Sequence, residues 1–194
     1  MTTIEEVRTA GREGEQRAID TMVLAFASDP WVRWLFPETG AYLTYFPRLV
    51  RALGGRAFEG GTAFSAGSCA TALWLSPGVE PSGQEVIAIV EEAVSPGRRE
   101  PLMSALAQLD EHHPPQPRWY LPFIGVDPAA QGRGYGSALL AHALERCDAE
   151  HAPAFLETGN ERNVPLYERH GFRVAGVIGV TSTVKLWPMV RNAR

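Results

Sequence analysis

Apolar residues at Ala18, Ile19, Met22, Val23 and Phe26 recur at three- and four-residue spacing, which predicts an amphipathic helix over Glu13 to Ala27. Ser28-Asp29-Pro30 ends it. Trp31, Trp34, Leu35, Phe36 and Pro37 then concentrate aromatic area in a stretch too short for a long helix. Such a cluster serves either as core or as one wall of a ligand cleft. A second helix is expected over Ala41 to Phe58. Beyond Gly60-Gly61, Thr62 to Ala66 and Ala70 to Leu75 read as a hairpin around Gly67-Ser68, closed by Ser76-Pro77-Gly78. Helical patterns return over Gln84 to Val94 and Arg99 to Leu109, on either side of Ser95-Pro96-Gly97. Thr2 to Ala10 reads as a short first strand.

The last third of the chain changes period. Trp119 to Val126 is aromatic and β-branched, the pattern of a largely buried strand. Pro122 lies in its middle and has no N–H to give a ladder, so it marks an edge, a bulge or a split in the sheet. Leu139, Leu140, Ala143, Leu144 and Cys147 share one side of a helix expected over Ser137 to Glu150, with His142, Glu145 and Arg146 facing away. A strand over Ala154 to Glu157 and a short helix over Asn163 to His170 follow, the latter stopped by Gly171. Phe172 to Val177 and Thr181 to Trp187 complete the chain as an antiparallel pair. A meander, a βαβ unit and a closing pair predict an α+β fold of three layers, with helices flanking a mixed central sheet.

Composition narrows the function more than the fold. The 194 residues, 45% of them hydrophobic, suffice for a single domain spanning residues 1–194, and no Pro/Gly/Ser-rich linker divides them. A net charge of −4 argues against a nucleic-acid partner and is compatible with a cationic amine. Cys69 and Cys147 have neither metal nor disulfide spacing, and no metal site is expected. With no signal pattern and no run of 18 apolar residues, the expected location is the cytoplasm and no membrane contact is expected.

The chemistry concentrates in Gln131-Gly132-Arg133-Gly134-Tyr135-Gly136-Ser137, between the predicted strand and helix. Three alternating glycines allow positive φ and close backbone approach, and the helix start directs N–H groups and the positive end of its dipole at an anion. A P-loop is excluded because no lysine is near; the only lysine is Lys185. A dinucleotide fingerprint is excluded because its third glycine would fall at position 137, which is serine.

The segment Val126-Asp127-Pro128-Ala129-Ala130-Gln131-Gly132-Arg133-Gly134-Tyr135-Gly136 resembles the acetyl-coenzyme A motif of the GNAT N-acetyltransferases, Gln/Arg-Gly-x-Gly-x-Gly/Ala after a strand. A second family element is similar to Asn160-Glu161-Arg162-Asn163-Val164-Pro165-Leu166-Tyr167-Glu168-Arg169-His170-Gly171-Phe172. Within the family, Pro153 to Thr158 and the Tyr-Glu-Arg segment look most like puromycin N-acetyltransferase and its relatives.

The resemblance implies a mostly antiparallel sheet split around acetyl-coenzyme A. The pantetheine arm would pair with the free strand edge from Phe123 to Val126, and the backbone N–H groups of Ile124, Gly125 and Val126 are the natural donors to the developing oxyanion. The pyrophosphate would rest on Gln131, Gly132, Arg133, Gly134, Tyr135, Gly136 and Ser137, with Asn160 or Asn163 near the coenzyme. It also implies that Tyr167, protonated at neutral pH, donates to the departing sulfur. Glu157, at the end of its strand, is the candidate general base; His112, His113, Glu91 and Glu92 compete with it. Asn160 reads equally well as a helix cap.

The expected activity is acetyl transfer to a primary amine of a small molecule by direct attack. Acetylation of a protein N-terminus or lysine, and a non-catalytic acyl-coenzyme A-binding module, stand as alternatives. An enclosed cleft would favour the small molecule and an open groove a peptide. Homodimers are the commonest symmetric assembly for such a chain.

Overall fold

Burial alternates residue by residue along the strand Trp119–Val126, with Trp119, Leu121, Phe123 and Gly125 on the buried positions. That strand lies at the centre of the sheet in a computed structural model that describes residues 5–194. We number the strands β1 (Val7–Thr9), β2 (Ala63–Ala66), β3 (Ala70–Leu75), β4 (Trp119–Val126), β5 (Ala154–Thr158), β6 (Arg173–Val174), β7 (Ile178–Gly179) and β8 (Lys185–Arg191). The path through the sheet is β1-β2-β3-β4-β5-β8-β6, with β7 also paired to β8. Every pairing is antiparallel except β4 with β5. The architecture is therefore the mixed, mostly antiparallel sheet expected of the sequence.

Helices cover both faces. On one, α7 (Tyr135–Ala149) buries Leu139, Leu140, Ala143, Leu144 and Cys147 against Phe64, Trp74, Trp119 and Leu121. On the other lie α1 (Glu15–Ala25), α2 (Pro30–Leu35) and α3 (Thr39–Gly54), followed by the short α4 (Arg56–Gly60). Phe46 is fully buried there, and both it and Phe26 meet the Phe123 ring edge-on, at centroid distances of 5.8 and 5.7 Å. Edge-to-face aromatic contacts of this kind lock α1 and α3 onto β4. A pair of helices, α5 (Gly83–Ala93) and α6 (Pro96–Glu111), extends the same face, and α8 (Val164–Arg169) closes the far side of the split.

Four predicted boundaries move for physical reasons. The helix read as Ala41 to Phe58 divides into α3 and α4 at the Gly54-Gly55 pair, the weakest helix formers in the stretch. The closing pair is not one hairpin: Ala175-Gly176-Val177 leaves the sheet, and β8 runs to Arg191 rather than stopping at Trp187. Pro188 does not end β8, because its carbonyl still accepts from the Ala175 N–H at 2.9 Å. α7 starts at Tyr135 instead of Ser137, since Gly134 takes the capping position. The first strand covers only Val7–Thr9 of the stretch Thr2 to Ala10, whose first three residues fall outside the described residues.

Gly159, just past β5, fixes where α2 sits. A Cβ built there would lie 2.3 Å from Trp31 Cβ and 3.4 Å from Asp29 Oδ1. We expect Gly159→Ala to push α2 off the sheet and cost about 1–3 kcal/mol, the usual range for overpacking. Urea denaturation of the variant beside the wild type measures this, and an unchanged midpoint would show that α2 docks loosely.

Candidate active site

β4 and β5 pair only at Trp119 with Ala154 and Tyr120 with Phe155. Directly afterwards Leu121 and Pro122 bulge against β3, where the register shifts between Leu73 and Leu75, and β4 turns away from β5. The proline thus lies at both a bulge and the beginning of a split. Main-chain direction along the separated part follows from alternation. The Asp127 N–H donates to the Cys69 carbonyl on the β3 side at 2.7 Å, so Gly125 faces β3 and Ile124 and Val126 face the opening. Gln131 Nε2 donates to the Val126 carbonyl at 3.1 Å, which agrees with that orientation. Of the three expected strand residues, only Ile124 and Val126 offer N–H groups to the cleft. Gly125 instead gives α1 room, since a Cβ on it would lie 2.7 Å from Met22 Sδ.

The opening is a cleft of about 600 Å³ with Gly132, Gly134, Gly136 and Ser137 at one end. Asp127 caps a single 3₁₀ turn over Pro128–Ala130 by accepting from the Ala129 N–H, and this sets the chain into the glycine turn. Gly132 and Gly134 take φ of 74° and 91°, which any residue with a Cβ adopts only with strain. The first intrahelical bond runs from the Ala138 N–H to the Gly134 carbonyl, so the N–H groups from Gly132 to Ser137 have no partner among the described residues. Gln131, Tyr135, Asn160 and Asn163 line the same cleft. The Arg133 side chain does not; the cations that do are Arg162 and Arg169. Asn160 accepts from the Arg162 N–H at 3.2 Å, the expected cap. Ser137 Oγ and His170 Nε2 are 2.7 Å apart, so the serine hydroxyl is held at the helix start.

The inner end of the cleft narrows to Tyr167, which is 5% exposed and whose burial raises its pKa above the ordinary phenol range. Asp29, Asn163, Ile124 and Glu157 surround this neck. Beyond it opens a second cavity of about 300 Å³, walled by apolar residues of α2, α3, α5 and α6 and including Trp31, Leu49, Ile89 and Leu102. Glu157 lines both the neck and this chamber. Its Oε1 accepts from the Tyr120 hydroxyl at 2.6 Å, while its Oε2 is shut off from solvent with no partner. Burial pushes the Glu157 pKa up to about 7, against the lowering effect of the Tyr120 bond. A carboxyl group near half-ionised at neutral pH, with one unpartnered oxygen and a place in the wall of an apolar chamber, is suited to accept a proton.

The competing bases separate from this point. Glu91 and Glu92 lie on the exposed face of α5, Glu92 paired to Arg48 at 2.7 Å. His113 reaches the chamber, but its Nδ1 accepts from Arg118 at 2.9 Å and burial lowers its pKa. His112 is not among the chamber's lining residues. Tyr120, Asp29 and Arg118 are site residues that the sequence reading did not reach. Tyr120 and Arg118 lie two apart on β4 and its approach, a spacing that puts both on one face, but nothing local says that the face lines a chamber.

Comparison with known proteins bears on the fold and the family. Residues 78–172 match the model of the Acetyltransferase (GNAT) family. An uncharacterized N-acetyltransferase of Schizosaccharomyces pombe is 37% identical over 67 residues, 34% of this chain and 25% of the relative, so the chain covers a quarter of that protein's length. A Corynebacterium glutamicum structure described as a histone acetyltransferase and related acetyltransferase superposes with a TM-score of 0.70 at 23% identity, over 99% of this chain and 98% of its own. Arylalkylamine N-acetyltransferase 2 of Aedes aegypti gives 0.71 at 11% identity over the whole of both chains. Polyamine N-acetyltransferase of Drosophila melanogaster gives 0.67 at 14% identity, over 96% of this chain and 98% of its own. These likenesses establish the GNAT fold, and with the family match they support an acyltransferase.

The electrostatics of Glu157 yield a test independent of any substrate. The Tyr120 hydroxyl stabilises the charged carboxylate, so Tyr120→Phe removes a lowering influence and the pKa of Glu157 must rise above its wild-type value near 7. Carboxyl-labelled NMR titration should show an upward shift of roughly one unit, since a hydrogen bond to a charged group contributes about 1.5–3 kcal/mol and water replaces part of it. A downward shift would mean that Tyr120 does not donate to the ionised form.

Proposed function

We propose that this protein is an acetyl-coenzyme A-dependent N-acetyltransferase that acylates a primary amine of a small molecule by direct attack. One observation carries the reading: Tyr167 and Glu157 flank the neck between a phosphate-cradling cleft and a second, apolar chamber. The cleft fits the coenzyme on two counts. Unpaired N–H groups from Gly132 to Ser137 suit a pyrophosphate, with Arg162 and Arg169 beside them, and the free edge at Ile124 and Val126 suits a pantetheine amide.

Bound there, acetyl-coenzyme A supplies an acetyl thioester at the neck. An alkylamine of pKa near 10 is almost wholly protonated at neutral pH, so it must lose a proton to attack. Glu157 Oε2 takes that proton from the chamber side. The Ile124 and Val126 N–H groups stabilise the negative charge that builds on the carbonyl oxygen. Tyr167 donates to the sulfur as it departs. Because burial raises its pKa, it acts as a fixed hydrogen-bond donor to the thiolate more than as a strong acid.

A chamber of about 300 Å³ walled by helices favours a small amine over a protein N-terminus or lysine. Puromycin-like aminonucleosides, suggested by the Pro153 to Thr158 likeness, belong in the acceptor panel. The same reading takes residues 1–194 as a single cytoplasmic domain, open to homodimer formation and without a nucleic-acid or membrane partner. No helix among the described residues is long and apolar enough to cross a membrane.

Amine-dependent thiol release tests the reading. kcat/KM should rise with pH through about 7 as Glu157 ionises, and Glu157→Gln should abolish that limb with a loss of 10²–10⁴-fold, the usual worth of a general base. Tyr167→Phe should lower kcat more than it changes KM. A full retention of rate in both variants would overturn the roles given to them. Calorimetry should find coenzyme A binding in the wild type and at least tenfold weaker binding in Gly134→Ala, where a φ of 91° opposes any Cβ. No binding by the wild type would end the proposal.

A further inference from the structure

The chamber beyond the neck has a polar floor in an otherwise apolar shell. Arg118 and Tyr120, from β4 and its approach, and Glu157, from β5, line it; Phe155, two residues before Glu157 on β5, is fully buried and does not. Each pair is two residues apart, so all four side chains project from one face of the parallel ladder that joins Tyr120 to Phe155. The Arg118 guanidinium lies 5.9 Å from the Phe155 ring centre and donates through Nη2 to His113 Nδ1 at 2.9 Å. With Nδ1 accepting, His113 carries its proton on Nε2 and is neutral.

Arg118 is consequently the one cation among the described residues lining the chamber, and its charge favours the ionised form of Glu157 without an ion pair. Its Nε is shut off from solvent without a partner, and no described carboxylate lies within ion-pair distance of it. Arg118 and Glu157, each with one buried and unpartnered atom, Nε and Oε2, therefore both line the same apolar cavity. A half-buried guanidinium with no anion paired to it is complemented by a carboxylate. Glu80 and Asp110 also border the cavity, but both are solvent-exposed and screened, and Asp110 faces His113 at 3.7 Å.

We propose that the acceptor is an apolar α-amino acid. Its amine is presented to Glu157, its carboxylate is held by Arg118, and its side chain fills the pocket formed by Trp31, Leu49, Ile89 and Leu102. This rests on the N-acetyltransferase reading and narrows it. The transfer forms a C–N bond to the α-nitrogen and breaks the C–S bond of the thioester; the ammonium gives one proton to Glu157 before attack, and the second proton, lost by the nitrogen as the amide forms, neutralises the departing thiolate that Tyr167 hydrogen-bonds. The products are an N-acetyl amino acid and coenzyme A.

Matched acceptors separate the carboxylate from the apolar body: phenylalanine, phenylalaninamide and phenethylamine, with leucine beside 3-methylbutylamine. At pH 8.5, where Glu157 is largely ionised, kcat/KM should favour each free acid over its decarboxylated partner by at least tenfold. Arg118→Gln should reduce that ratio at least tenfold. Calorimetric binding of the same compounds in the presence of coenzyme A reads the chamber without turnover. A preference for the acid in binding, with no thiol released, would uphold this inference while defeating the enzymatic one. Turnover without a carboxylate preference would defeat this inference alone. A preference for the amide, for phenethylamine or for a diamine such as putrescine would overturn it, as would failure of every compound to bind.

Discussion

Between Tyr120 and Val126 one edge of β4 has no strand beside it, and most of the molecule is arranged around that fact. Buried N–H and carbonyl groups without partners are costly, so an opened sheet persists only where something takes up its edge. Pro122 starts the opening by removing a donor and bulging the strand, and Gln131 takes one exposed carbonyl with its own side chain. The remaining main-chain groups at Ile124 and Val126 face a cleft that continues into the glycine turn. One discontinuity in the ladder thus produces both a site for a peptide-like arm and the approach to a phosphate site.

A second constraint is the cost of placing ionisable groups beyond the neck. Glu157 and Tyr120 lie in the part of the sheet that helices cover and Tyr167 is buried on α8, and desolvation raises all three pKa values. The effect has opposite uses for the two residue types. It brings a carboxyl group from the acidic range to neutrality, where it can take a proton, and it keeps the phenols protonated as donors. Tyr120 moderates the first effect by donating to Glu157, so the strength of the base is set by two residues on neighbouring strands.

The glycine turn is legible in sequence because its physics is local: three spaced glycines, a strand before and an amphipathic helix after are all contained in about thirty residues. The same holds for the hairpin at Gly67-Ser68 and for the central strand. Tyr167 and Glu157 are reachable because each ends or follows a short apolar element. The division of the α3–α4 stretch and the continuation of β8 through Pro188 are not reachable, since tertiary pairing decides both against local propensity. Arg118 and Tyr120 read as ordinary polar-edge residues of a strand until the position of β5 is known. Arg133 errs in the other direction: its sequence position suggests a phosphate ligand, but it is not among the residues lining the cleft, while Arg162 and Arg169 are.

This asymmetry explains why the sequence speaks more clearly about the coenzyme than about the acceptor. The coenzyme cleft draws most of its chemistry from backbone on either side of one turn, so glycine spacing encodes it. The chamber instead collects side chains from Trp31 on α2 to Leu186 on β8, and its floor exists only because β4 and β5 run side by side for two residue pairs before parting. Lengthening that parallel ladder would close the neck, and shortening it would separate Tyr120 from Glu157. The extent of pairing between two strands therefore governs the cleft and the Tyr120–Glu157 hydrogen bond together, whereas the chamber walls are set by the helices.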